Sequence, residues 1–330
     1  MKIRHIVFGI LTAVCLVTAI LLSVCRGAVT KDNVRDFAAE NYSGASGDRY
    51  TQLALYLGED GYLTPDVMME IKNTLEGKIT EYGADSTKYL LSGSTEKTVN
   101  LMRGALSTEA LATVYFGDWF GLHPHVPARG GYVDESAATT DFCVIDDYVA
   151  WKMFGSTDVC GLELEIDGKI YTVSAVLHAD RSVYAPYYGE KPRVYILYSS
   201  AAVRDERVNF TSLEAVLPNP VDGAAEAMFK DAVASLSDEV YTVSGRFTAS
   251  ELFDNIKNVS KLGVMEGKDF PYYENIARIM ETKCALILAF ETAFYILAAV
   301  SFWILLVLIF RPLLSELKEK RSAKKRHAIY

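Results

Sequence analysis

The chain has 330 residues, half of them hydrophobic, with 33 Lys and Arg against 42 Asp and Glu for a net charge of −9. That length accommodates two modest domains, and the acidic balance makes nucleic acid a poor partner, because phosphate binding requires clustered cations. Much of the apolar content is gathered into two blocks, one near each end, which points to the lipid bilayer.

The first block, residues 6–25, carries no charge and is long enough to span a bilayer core as a helix. Lys2 and Arg4 precede it, so residues 1–5 are expected in the cytoplasm. A cleaved signal peptide would show a shorter apolar run and an Ala-x-Ala-like site, but Arg26 stands three positions before a cut at Ala28. Leu22-Ser23-Val24-Cys25 imitates a lipobox, with Val24 where a small residue belongs. An uncleaved anchor is favoured.

After a polar connector from Asn41 to Asp48, Arg49 to Leu57 reads as a strand. Thr64-Pro65-Asp66 is a helix start, with Thr as N-cap and Pro at the first helical position; Val67, Ile71, Leu75 and Ile79 then recur at helical spacing until Gly83. Lys88 to Leu91, Thr98 to Leu106 and Leu111 to Phe116 are expected strands.

The stretch from Gly117 to Val176 concentrates aromatics, glycines, histidines and acids. A strand is expected over Phe142 to Ile145 and a helix over Asp147 to Phe154, with Asp146 or Asp147 as N-cap, Gly155 as the stop, and Trp151, Met153 and Phe154 in the core. Leu162 to Ile166 and Ile170 to Val176 alternate around Asp167-Gly168, and Asp-Gly supplies the positive φ angles of a tight type I′ hairpin.

Arg193 to Tyr198 and Thr211 to Leu217 are expected strands. Asp222 to Ser235 is a helix with Ala225, Met228, Phe229 and Val233 inward, Val240 to Ser244 returns as a strand, and Thr248-Ala249-Ser250-Glu251 is a capping box opening a helix to about Lys261. From Ile276 the sequence is helical. Glu274, Arg278 and Glu281 share one face of this stalk, best read as a solvated stripe.

The second block, residues 284–310, is interrupted only by Glu291. The tail, residues 311–330, is basic and expected in the cytoplasm, which leaves 26–283 outside with about 24 Lys and Arg against about 39 Asp and Glu, roughly −15. Glu291 either faces a partner helix or water, or snorkels to the surface. Ala285, Ala289 and Ala293 at four-residue spacing would let another helix, either the first span or a partner's, approach closely. Cys143 and Cys160 flank the short helix; they either form a disulfide or remain two small apolar side chains.

Phe154-Gly155-Ser156, Asp158-Val159-Cys160-Gly161, a strand, the Asp167-Gly168 turn and a Tyr171-x-Val173-x-Ala175-Val176 strand resemble the extracytoplasmic core domain of MacB-like and FtsX-like ABC transporter permeases. The resemblance makes Phe154, Gly155, Asp158, Gly161, Asp167 and Gly168 structural residues. It implies an α+β extracytoplasmic domain held between two transmembrane helices: a membrane-proximal lobe of βαβ units (49–116 and 193–270) with an inserted β-rich lobe (117–192). It also implies a non-enzymatic, cofactor-free protein working with an ABC ATPase or a further permease subunit. Such permeases typically have four membrane helices and a Glu-x-Gly-like pattern after the second. Two spans and a tail without that pattern are expected of a truncated member, from which neither direct ATPase contact nor a transport path of its own is expected.

Chemistry is sparse. No P-loop and no His-Glu-x-x-His motif exists, and Gly44-Ala45-Ser46-Gly47 is one residue short of a nucleophile elbow. His123-Pro124-His125, with Asp134 and Glu135 nearby in sequence, lacks a third zinc ligand at a recognised spacing; turn residues are the simpler reading. Three functions stay open: a permease-related subunit acting through exterior protein contacts, an exterior ligand-binding module, favoured by any apolar pocket between the lobes, and an exterior enzyme, disfavoured by the missing constellations.

Overall fold

The structure, a computed structural model, describes all residues except 1, 32, 45–46, 58–62, 133–140, 180–191, 201–207, 238, 258–269 and 328–330. Asp134, Glu135 and part of the 44–47 motif therefore lie outside the described residues. The chain forms two units, one of residues 1–32, 247–263 and 279–330, the other of 33–246 and 264–278.

The first unit contains two helices long and apolar enough to cross a membrane, α1 (Lys2–Thr30) and α8 (Tyr272–His327) from Ile279 onward, with α7 (Ala249–Lys257) beside them. Thr248 Oγ1 accepts from the Glu251 amide at 3.5 Å, the forward half of the expected capping box. Thr12, Cys15 and Ala19 are the buried positions of α1, a three-and-four spacing that makes one seam. On α8 from Ile279 onward the buried positions among the described residues are Met280, Cys284, Ala285, Leu288, Glu291, Ala298 and Ser301. The helices run antiparallel, as the pairs Thr12–Ser301 (2.8 Å) and Arg26–Glu291 (3.3 Å) show. Ala285 lies in this seam, whereas Ala289 and Ala293 are exposed, so of the two expected neighbours, the first span or a partner helix, the stripe as a whole does not pack on the first span. Leucine and serine at 288 and 301 serve the seam instead.

The second unit opens with the short α2 (Ala38–Ser43) and is built on one sheet. Its strands are β1 (Tyr50–Tyr56), β2 (Leu90–Arg103), β3 (Leu106–Gly117), β4 (Pro127–Gly130), β5 (Phe142–Asp146), β6 (Glu163–Ile166), β7 (Lys169–Leu177), β8 (Arg193–Leu197), β9 (Ser212–Pro218) and β10 (Tyr241–Thr242). They lie in the order β10-β1-β9-β2-β3-β8-β5-β7-β4, with β6 bridging β2 and β7. Among the described residues, the parallel pairs are β3–β8 and β5–β7. The segment 117–192, expected to be an inserted β-rich lobe, supplies β4 to β7 of this sheet.

Two strands expected at 88–91 and 98–106 are one long β2, because Gly93 does not break it. A Cβ there would press on the Met68 thioether at 2.9 Å and on Phe210 at 3.3 Å; the glycine lets a helix close onto the strand. That helix is α3 (Pro65–Glu81), capped by Thr64, whose hydroxyl accepts from the Val67 amide at 3.4 Å. Met68, Ile71, Leu75 and Ile79 are its buried stripe, and α6 (Ala224–Val233) adds Ala225, Met228, Phe229 and Val233 over β1 and β9. Each such large side chain, fully buried, contributes about 1.5–3 kcal/mol.

A second core on the same sheet lies under α5 (Asp147–Phe154). Asp146 Oδ1 accepts from the Val149 amide at 2.7 Å and Gly155 closes the helix at φ 72°, both as the sequence predicts. Val149, Ala150 and Met153 are buried and Phe154 packs against them, but Trp151 is 60% exposed. Trp151 sits two residues from Val149 and Met153, which at 100° per residue places it across the helix from them. The hairpin is as predicted: Ile166 pairs with Lys169 around Asp167 (φ 48°) and Gly168 (φ 79°).

Cys143 and Cys160 are free thiols. Strand β7 runs between them: Val173 is in register with Cys143 on one side and its carbonyl accepts from the Gly161 amide on the other. Two inter-strand spacings of about 4.8 Å each separate them, beyond the roughly 7 Å that a disulfide bridges between Cα atoms. Burial pushes the Cys143 thiol up to about 12.

Candidate functional site

Strand alternation sends Leu53 and Leu55 into the helix-covered core and Gln52, Ala54 and Tyr56 to the opposite face. On that face, opposite-facing residues of β9 place Glu214 beside Ala54. Glu214 is 1% exposed although it belongs to a strand that is buried along its whole length. A carboxylate in such a place must find cations.

They come from distant parts of the chain. Arg35 and Asp36 lie in a short 3-10 turn five residues beyond the end of α1; Arg246 follows β10; Glu274 and Arg278 sit one turn apart at the start of α8. Arg35 Nη2 donates to Glu214 Oε1 at 2.6 Å and to the Tyr56 hydroxyl at 2.8 Å, while its Nη1 reaches Asp36 at 3.0 Å and Glu274 at 3.3 Å. Arg246 grips Glu274 with both terminal nitrogens, at 3.1 and 2.8 Å, and touches Asp36 at 3.4 Å. Arg278 Nε adds a third guanidinium to Glu274 at 3.0 Å, and the Tyr56 hydroxyl donates to it at 3.0 Å. The two-point Arg246 contact is the strongest geometry available to such a pair.

Three guanidinium groups thus meet three carboxylates. Burial pushes the Glu274 carboxyl up, but Arg246, Arg35 and Arg278 outweigh it and bring it down to about 2. Glu214 is likewise held well below the usual carboxylate range, Arg35 and His123 outweighing its burial. His123, 3% exposed, contacts Glu214 Oε2 through Nε2 at 2.6 Å. Burial outweighs that carboxylate and lowers the imidazole pKa, so neutral His123 donates and the cluster stays charge-balanced. Aromatic rings close the rim: Arg35 lies over Tyr273 at 4.3 Å and Arg278 over Phe270 at 3.9 Å.

Glu274 and Arg278, expected on a solvated stripe, are instead buried here, and Glu281 hydrogen-bonds Asn255. A helical stripe looks the same in sequence whether water or three arginines face it. His123, expected in a turn, is a full member of the network, while His125 Nδ1 turns to the His123 carbonyl at 2.7 Å. Among the described residues no three His, Cys, Asp or Glu side chains converge as metal ligands would. Arg35, Asp36, Glu214 and Arg246 were not expected; the one sequence signal was Glu214, a lone carboxylate between Leu213 and Ala215-Val216-Leu217.

Of the motif residues, the glycines and Asp167 act on backbone geometry, while the Phe154 ring packs against the core beneath α5. Gly155, Gly161 and Gly168 all have positive φ, and Asp167 Oδ1 accepts from the Asn100 amide at 2.8 Å, tying the β6–β7 turn to β2. In the spans, Glu291 faces α1 and pairs with Arg26.

A separate cleft opens at α4 (Trp119–Leu122). It has a volume of about 310 Å³ and is lined from both the 49–116 and the 117–192 segments. The chain turns into it at Gly117, φ 72°, where a Cβ would collide with the Leu91 carbonyl oxygen. Trp119 stacks on His123 at 4.4 Å between ring centres.

No family model matches the sequence, and no curated protein matches it. Among solved structures, the chain is similar to the periplasmic region of MacB from Actinobacillus actinomycetemcomitans, with 13% identity over 65% of this chain and 94% of that one and a TM-score of 0.46. It is also similar to the extracellular domain of the noncanonic ABC-type transporter YknZ from Gram-positive bacteria, with 13% identity over 59% of this chain and 99% of that one and a TM-score of 0.41.

Proposed function

We propose that this protein is a two-span, non-catalytic membrane component of the MacB- and FtsX-like kind, whose exterior domain is coupled to its spans and acts through contacts with other proteins. The observation that carries this reading is the buried ion network. It holds, in one cluster, the residues that follow α1 in the chain and the first turns of the helix that continues as the second span. A domain whose two connections to the membrane are fixed to the same patch of sheet can pass a displacement of either one to the other. The Phe154 to Val176 motif supports the family assignment.

On this reading both termini are cytoplasmic, residues 26–283 are outside, and the partner is an ABC ATPase or a further permease subunit. Gentle extraction from the native membrane, followed by mass spectrometry, tests it. An ABC ATPase or second permease subunit is expected to co-purify; repeated recovery of the protein alone would overturn the reading.

A further inference from the structure

We propose that the cleft at α4 is a binding site for a small, flat aromatic molecule carrying a carboxylate. Six rings line it, those of Tyr89, Tyr115, Phe116, Trp119, Phe120 and Tyr132. Its volume of about 310 Å³ lies at the lower end of the range of small-molecule sites, about 300–1,000 Å³.

The rings are set in place before any ligand arrives. Phe120 stacks on Tyr132 at 3.9 Å, meets Trp119 edge-on at 5.0 Å and Tyr115 edge-on at 5.4 Å. Faces and edges fixed in this way suit a further planar ring, and little conformational entropy remains to be lost on binding.

Charge selects the ring's substituent. Two ionic side chains line the cleft, Asp118 and Lys72. Asp118 is already engaged, its Oδ2 accepting from the Leu91 amide at 3.4 Å. Lys72, half-buried on α3, has no hydrogen-bond or ion-pair partner among the described residues. The carboxylate one turn further along α3, Glu76, accepts from the Tyr89 hydroxyl at 2.7 Å instead of from Lys72. Asp118 keeps its negative charge, since an amide neutralises none, but Lys72 is the ionic group with hydrogen-bond donors to spare, and a carboxylate on the ring would take them.

This inference is separate from the coupling role and stands or falls without it. The test uses the full chain in lipid nanodiscs, with empty nanodiscs as the control, and calorimetric titration of indole-3-acetate, its neutral alcohol counterpart tryptophol, and cyclohexylacetate. Saturable binding of indole-3-acetate is expected, with each of the other two weaker by about tenfold, and Lys72→Met should abolish the preference over tryptophol while leaving the unfolding temperature unchanged. No saturable binding of indole-3-acetate, equal binding of cyclohexylacetate, or an unaltered preference in Lys72→Met would each overturn the proposal.

Discussion

Glu274→Gln removes one charge from the network while keeping the side chain's shape. The carboxylate is fully buried and touches Arg35, Arg246, Arg278 and Tyr56. Its pKa falls from the ordinary 4.5 to about 2, and at about 1.4 kcal/mol per unit the ionised form is favoured by roughly 3 kcal/mol. Breaking a buried ion pair by removing one partner costs about 3–5 kcal/mol, because the other charge is left uncompensated. The lower figure suits Gln, which still accepts a hydrogen bond. For a domain of about 150–250 residues, each kcal/mol moves the midpoint by about 2–4 °C, so the exterior domain should unfold about 6–12 °C earlier. Thermal unfolding of the full chain in detergent, followed by near-ultraviolet circular dichroism, reads this directly. A midpoint within 2 °C of the parent would mean that the three guanidinium groups do not depend on this carboxylate.

Acid should act through the same groups. Glu274 and Glu214 have depressed pKa values, so their contribution is complete above the ordinary 4.5 and is lost as pH falls toward about 2. His123, held neutral by burial, loses stability from its ordinary 6.5 downward, whereas Asp146, pushed up to about 6 by burial, gains as pH falls from there toward 3.8. These two oppose, so the midpoint should be nearly level from pH 7 to about 4.5 and drop steeply below; a rise on acidification to pH 3 would contradict the network. Gly117→Ala and Gly168→Ala separate sterics from conformation: both have positive φ, but only at Gly117 does the added Cβ meet backbone. Gly168→Ala should cost about 1–2 kcal/mol in chemical denaturation and Gly117→Ala clearly more, and equal losses would refute the close contact with Leu91. In the spans, Glu291→Leu should lower the membrane level of the protein several-fold, given about 1–2 kcal/mol for an interhelical polar contact. The exchange Arg26→Glu with Glu291→Arg should restore it, and an immunoblot showing no loss in the single variant would dismiss the pair.

What the sequence discloses here is local. Thr64-Pro65, Asp146, Gly155 and Asp167-Gly168 were legible because each acts on backbone within three or four residues of itself, and its chemistry allows few alternatives. The continuity of β2 through Gly93 is hidden for the complementary reason: the glycine's meaning lies in Met68 and Phe210, which approach it from elsewhere. The network is the extreme case, with Arg35 and Glu274 separated by 239 residues. Nothing near Glu274 in sequence distinguishes a carboxylate facing water from one facing three arginines. Glu214 was the exception in principle, since its apolar neighbours alone force it to be buried. Arg26 and Glu291 were each noticed singly, one as an obstacle to signal cleavage and the other as an intramembrane acid, but only the antiparallel seam makes them a pair.

A buried ion network is a poor device for stability alone, since well-packed apolar replacements are often neutral or better by about 1–4 kcal/mol. Its distinguishing property is geometric. Arg35 bonds Asp36, Glu214 and Glu274, and Arg246 bonds Asp36 and Glu274, so a one-turn slip of α8, about 5.4 Å, would break every contact to Glu274. An apolar contact tolerates such a slip far better. The double variant Arg246→Met, Glu274→Leu removes one charge of each sign and leaves Arg35 and Arg278 against Asp36 and Glu214, so it should recover most of the midpoint lost in Glu274→Gln. Hydrogen–deuterium exchange then separates the two roles. If the network fixes the position of α8, amides of residues 272–278 should exchange about tenfold faster in the double variant despite its recovered stability. If exchange there matches the parent, packing alone holds the helix and the ions are dispensable to the coupling.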